Sequence, residues 1–193
     1  MSLRLVRAVA ETENLDEFHL SRLLLLLGSA DARKRTPETK ARAVEGITKL
    51  AKMDFYLRYP TYLERALLRL RSTEVDAIAI EERERTSIET TMIRFRYGPW
   101  DARYRRWLGL LHARGLVTLG LRGNTVTIGL TEAGRAISAQ LANDPVFESV
   151  KRRSGIVAKV LGAMPATKLK DFTYQVVPEI TTMKWGDDIP LKG

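Results

Sequence analysis

The chain has no cysteine and only two histidines in 193 residues. The first absence excludes disulfides, thiolate metal ligands and a cysteine nucleophile. The second leaves too few imidazoles for a histidine-built metal site, and His19 and His112 each fall inside an apolar helical pattern. Neither G-x-x-x-x-G-K-[ST] nor G-x-G-x-x-G occurs. The glycine-bearing "GLRGNTVTIG" lies in a hairpin pattern without the following helix that would hold phosphate. The longest leucine run, "LLLLLG" at 23–28, is far short of the roughly 20 apolar residues of a membrane span. Acidic residues arrive too early in "MSLRLVRAVAETENLDEF" for a signal peptide. The expectation is a cytoplasmic, soluble chain that takes no cofactor and no metal. Its carboxylate-rich stretch "EERERTSIE" reads as a solvated face rather than as paired catalytic acids, and no enzyme is expected.

What is present is positive charge. Lys and Arg number 32 against 23 Asp and Glu, a formal net charge of +9 that attracts polyanions, whether a DNA backbone or an acidic protein surface. The length suffices for one good core with helical extensions.

Leu20, Leu23, Leu24 and Leu27 follow helical spacing in a helix over 15–27, and the remaining leucines make it apolar almost all round. Such a helix needs burial on more than one side, in the core or against a partner. Thr36, Pro37 and Glu38 form a helix start, with Val44, Ile47, Leu50, Ala51, Phe55 and Leu57 on the apolar side to Tyr59. Pro60 interrupts that helix, and "TYLERALLRLRS" resumes one. Residues 75–85 are ambiguous between helix and linker. Ser87 and Ile88 open a further helical stretch that ends at Gly98-Pro99. Asp101 is the expected N-cap of the next helix, and Gly115 its terminator. Two β-rich runs, 116–121 and 125–130, flank the turn residues "RGN", and Thr131 caps the following helix. Beyond Asn143 come an amphipathic helix with Val146, Val150, Ile156, Val157, Val160 and Leu161 on one side and Arg152, Arg153 and Lys159 on the other, a short helix, and an extended tail with Trp185 exposed.

Helix, glycine, hairpin and "LTEAGRA" in that order make the latter half of a winged helix. The fold expected is mostly α with a small β-hairpin wing. The winged helix-turn-helix domain spans 37–142, with helical N- and C-terminal extensions at 1–36 and 143–193.

Two further stretches, "KMDFYLRYP" (52–60) and "MIRFRYGPWD" (92–101), precede "LHARGLV" and "LTEAGR". Together, over about half the chain, they resemble the middle component of prokaryotic ABC-three-component systems, to which Lamassu-type defence modules are related. The resemblance implies a non-catalytic accessory subunit. It would dock on an SMC-like ATPase, couple it to an effector that is commonly a nuclease, and act against phage or plasmid DNA. The alternative from the residues alone is a stand-alone winged-helix transcription regulator.

In "RFRYGPWDARYRRW", the aromatics Trp100, Tyr104 and Trp107 suit one helix face as scaffold. Arg94, Arg96, Arg103, Arg105 and Arg106 are left to bind phosphate or carboxylate. Arg122 on the wing and Arg152 and Arg153 in the C-terminal helix extend this basic set. Whether double-stranded DNA or an acidic protein meets it stays open in the sequence.

Overall fold

From 23 to 27 every residue is leucine, and the helix they build has no broad solvent face. The computed structural model describes residues 16–32, 43–86 and 91–191. Helix α1 (Asp16–Asp31) buries Leu20 and all of Leu23 to Leu27. It lies against α6 (Glu132–Asn143), α7 (Glu148–Val160) and strand β5 (Thr125–Leu130). An all-round apolar helix is thereby part of the core. Leu15 and the Thr36-Pro37-Glu38 start lie outside the described residues.

Val44, expected on the apolar side of a helix, is in a strand instead. Residues Ala43–Glu45 form strand β1, antiparallel to β5 with Val44 opposite Ile128, and α2 (Ile47–Arg58) starts after Gly46. Val44 fits a helical spacing equally well, and a three-residue strand is too short to declare its own period. Pro60 ends α2 and occupies the first turn of α3 (Pro60–Arg69), where its missing N–H costs nothing. Of the ambiguous 75–85 region, only the start of α4 (Glu82–Thr86) is helical.

The expected helix ending at Gly98-Pro99 is instead a hairpin over its described part. Strand β2 (Ile93–Phe95) pairs with β3 (Gly98–Trp100), and Arg96 and Tyr97 make the turn. Ser87 and Ile88 lie outside the described residues. The free edge of β2 is taken by the C-terminal tail, where Arg94 N–H donates to Asp187 O and Ile189 N–H to Met92 O, both at 2.8 Å. Tyr59 hydroxyl accepts from Met92 N–H and donates to Ile189 O, which ties α2 to both. Ile189 is fully buried, so this tail belongs to the core, while Trp185 beside it is exposed.

Helix α5 (Tyr104–Ala113) follows. Asp101 is not its N-cap; Arg103 holds that position, and the Asp101 carboxylate accepts the Arg103 N–H. Gly115, at φ 68°, ends the helix as expected, with Leu116 N–H reaching back to Leu111 O. Strands β4 (Val117–Arg122) and β5 form a hairpin around Gly123-Asn124, and β1 completes a sheet ordered β1-β5-β4. Thr131 Oγ1 accepts from Gly134 N–H, as a helix cap should. The whole is mostly helical with a small antiparallel sheet. Residues from α1, α2, α5, β5, α7, α8 (Ala166–Val176) and the tail share one apolar core.

The glycine of "LTEAGR" has a steric reason. A Cβ on Gly134 would collide with the Leu116 carbonyl, a backbone atom that cannot swing aside. Gly134→Ala is therefore expected to lower stability by about 1–3 kcal/mol in thermal melts. Gly109→Ala, whose Cβ meets nothing within 4 Å, is expected to be neutral or to raise it by about 0.5–1 kcal/mol. Equal melting temperatures for the two would contradict this packing.

Helix α7 departs from two further expectations. Val146 lies in a 3-10 turn before it and is exposed. Arg153, expected on the basic side, points inward at 4% exposure. Its guanidinium binds Glu84 and the carbonyls of Ile78 and Ala79, pinning the 78–84 loop to α7.

Candidate functional site

The stretches "DFYLR" and "GPWDARY" meet in space. Asp54, fully buried on α2, accepts from Arg22 Nε at 2.7 Å, Arg58 Nε at 3.0 Å and the Tyr104 hydroxyl at 2.6 Å. Arg58 also donates to Asp101 Oδ2 at 2.9 Å, and Arg103 closes on Asp101 with two bonds of 3.0 and 2.8 Å. The Arg58 and Arg103 guanidiniums lie over the Trp107 ring, 5.5 and 4.7 Å from its centroid. Burial alone would raise the Asp54 carboxyl, but Arg22 and Arg58 overcome it and hold the group well below the ordinary carboxylate range. Asp101 is opposed by burial in the same way, yet its bonds with Arg103 and the charge of Arg58 bring it down to about 2. Burial and the Asp54 charge push the Tyr104 phenol well above 10. Every acceptor here is occupied by an internal donor, so this network braces α1, α2 and α5 and does not present a ligand site.

His19 faces the same cations. Guanidiniums face both ring nitrogens, Arg22 Nη1 3.0 Å from Nδ1 and Arg103 Nη1 3.5 Å from Nε2. Burial, then the charges of Arg22, Arg58 and Arg103, lower it to about 3. Its folded value lies below its unfolded value of 6.5, so the unfolded chain binds the proton first as pH falls. Stability is expected to decline from about pH 6.5 downward by up to roughly 1.4 kcal/mol per pH unit. His19→Gln, which keeps an acceptor for Arg22 but cannot charge, should flatten melting temperature between about pH 6.5 and 5. An identical slope in both proteins would exclude His19 as the cause.

The candidate binding arginines separate into two groups. Arg94 turns inward, its Nε donating to Ile180 O at 2.8 Å and its guanidinium lying over Tyr174. Arg103 and Arg153 are held as described. Arg106 pairs with Asp16, Arg122 with Glu45 and Arg152 with Glu148, all at the surface. Arg96 lies over its neighbour Tyr97 and, like Arg105, has no ion pair among the described residues. Of the expected set, these two remain available to a ligand without breaking an internal pair. Tyr104 and Trp107 are fully buried scaffold, as their spacing suggests. Trp100 is not on their helix; it ends β3, half-buried.

Arg105 stands between two hollows. The larger, a groove of about 530 Å³, lies between α5, the start of α2 and the β4-β5 hairpin, and is lined by Ile47, Leu108, Leu119, Leu121 and Val126. Leu119 and Leu121 are two apart on β4 and face the same side as Val117, which is buried; the hairpin outruns the core and leaves them 37% and 77% exposed. The smaller hollow, about 170 Å³, is walled by Phe95, Tyr97, Pro99 and Trp100, with Lys52 and Arg105 supplying charge. Lys52 is buried, and its Nζ donates to Thr48 O with no second hydrogen bond among the described residues. Burial, aided by nearby Lys170, lowers its ammonium to about 8.

His112 Nδ1–H donates to Val117 O, a satisfied helix histidine. Among the described residues no three His, Asp or Glu side chains come together as a metal site, and no helix is long and apolar enough to cross a membrane. Nothing in the sequence pattern singles out Lys52, Phe95, Tyr97, Leu119 and Leu121 as site residues. The signal for the last two was the apolar alternation of "VTLGL", which reads equally as core. No family model, curated protein or solved structure matches the chain.

Proposed function

We propose that the chain is a non-catalytic winged-helix adaptor. In this reading it is the accessory subunit of an SMC-like ATPase defence complex against phage or plasmid DNA, linking the ATPase to a nuclease-type effector. In place of the 37–142 bounds expected from the sequence, the winged helix would take in the N-terminal α1 and consist of α1, β1, α2, α5 and the β4-β5 hairpin, with 60–100 inserted between its second and third helices. The strand order β1-β5-β4 supports that assignment. The observation that carries the docking role is the surface beside α5. Where a DNA-reading winged helix brings its third helix and wing to a phosphate-lined groove, this chain has an apolar trough, and most of its candidate arginines are engaged internally. An apolar trough suits a protein partner better than a duplex.

The stand-alone regulator is favoured by the net charge and by the exposure of Arg105, Arg106 and Arg114 along α5. Fluorescence anisotropy with labelled duplexes separates the two. The purified chain is expected to bind duplex DNA weakly, with little sequence preference and with affinity falling steeply as salt rises, the behaviour of counterion release alone. Tight binding to one operator that persists at high salt would favour the regulator and overturn the adaptor.

A further inference from the structure

The two hollows meet at Arg105, a guanidinium with no ion pair among the described residues. Of the eight large apolar side chains exposed among the described residues, four line these hollows: Leu119 and Leu121 in the larger, Phe95 and Tyr97 in the smaller. A fifth, Trp185, lies against Phe95 with ring centroids 5.8 Å apart. Exposed apolar groups scattered singly need no explanation, but a cluster around concave surface does. The lining also has one sign of charge. Lys52 and Arg105 are present, and among the described residues no aspartate or glutamate lines either hollow.

We infer that these joined hollows are the docking site for an acidic protein segment, with one large aliphatic or aromatic anchor in the Leu119–Leu121 groove and an adjacent carboxylate between Arg105 and Lys52. The inference deepens the adaptor reading and rests on it for the identity of the partner. Each part of the occupant answers a feature of the site. Among the described residues that line the larger groove, Arg105 alone has a hydrogen-bonding side chain, so an apolar group gains most by entering it. The smaller hollow offers a guanidinium with no ion pair among the described residues and an ammonium with N–H capacity left over, both beside aromatic side chains and able to make charge-assisted bonds to a carboxylate. A phosphate backbone would satisfy Arg105 but would place charged, hydrated groups against Leu119, Leu121 and Phe95. A basic segment would meet Lys52 and Arg105 as like charges.

A random peptide display library selected on the full chain provides the probe. Enriched peptides are expected to carry a large apolar residue next to aspartate or glutamate. A synthetic copy of the best should lose about tenfold or more in affinity against Arg105→Glu, and similarly against Leu121→Asp, as hot-spot anchors do. Both positions are exposed, so both variants should melt like the parent. Lys52→Met, which keeps the length of a buried side chain, should weaken acidic peptides while leaving a neutral analogue unaffected. Enrichment of basic or charge-free peptides, no enrichment over a blank support, or affinity unchanged in Arg105→Glu and Leu121→Asp would each overturn the inference. Such a failure, with the chain still co-purifying with an ATPase, sinks the docking site alone. Peptide binding as expected without any ATPase partner sinks the adaptor reading and leaves the site standing.

Discussion

Asp54→Asn is expected to remove about 3–5 kcal/mol of folding free energy, the usual result of leaving buried charge without its partner. The substitution barely changes volume, so the loss would be electrostatic. Arg22 and Arg58 would remain buried, each deprived of the carboxylate it now contacts at 3.0 Å or less. One of the two carboxylate oxygens that serve Arg22, Arg58 and Tyr104 would become an NH2 donor facing donors. A domain commonly has 5–15 kcal/mol in total, so the variant should unfold at much lower urea and sit near its threshold at body temperature. Acid acts on the same bond. Asp54 has a folded value held below its unfolded one by Arg22 and Arg58 despite burial. Its contribution is therefore complete above the unfolded carboxyl value near 4 and is lost as pH falls through the folded value. A loss below about 1 kcal/mol in urea unfolding would mean that water reaches the arginines, and the network would then not be the brace described.

The second large effect concerns α1. Removing residues 1–29 is expected to abolish folding. Six core leucines, Leu20 and Leu23 to Leu27, are nearly inaccessible to solvent. At about 1.5–3 kcal/mol each, their burial is worth roughly 9–18 kcal/mol, as much as a whole domain's net stability. The cut also removes Arg22 from Asp54 and strips Ser138 of the Leu24 carbonyl to which its hydroxyl donates. Leu26→Ala is the graded version, expected to cost about 2–5 kcal/mol. Circular dichroism of the shortened chain should show no cooperative melt. A cooperative transition close to that of the full chain would make the leucine helix a peripheral docking element.

Local chemistry made the stretch from 104 to 143 legible in the sequence. A terminating glycine, a two-residue hairpin turn and a threonine cap each act within a few residues, and all three occur where expected. The β2-β3 hairpin was not legible, because β2 is completed by residues 186–189, about ninety positions away in sequence, and nothing local announces that pairing. The leucine run showed that α1 needed covering on several sides but not by what. Arg153 was misplaced although a signal existed: four residues before Val157, it shares the apolar face of α7, where only an internally paired arginine can stand. The buried network escaped for a different reason. Asp54, Arg58 and Asp101 lie in the two most distinctive stretches, but residue types do not tell a brace from a binding site. Only the occupied acceptors do.

Co-expression of the tagged chain with the products of its neighbouring genes, comparing the parent with the double variant Arg105→Glu, Leu121→Asp, tests the adaptor reading most directly. The parent is expected to bring down a long coiled-coil ATPase in a stoichiometric complex that persists at high salt, since apolar anchors are not screened. The double variant should melt at the same temperature and leave the ATPase behind. An equal yield of complex from both would place the partner elsewhere on the chain. A parent that brings down no ATPase and selects one duplex sequence would contradict the adaptor outright.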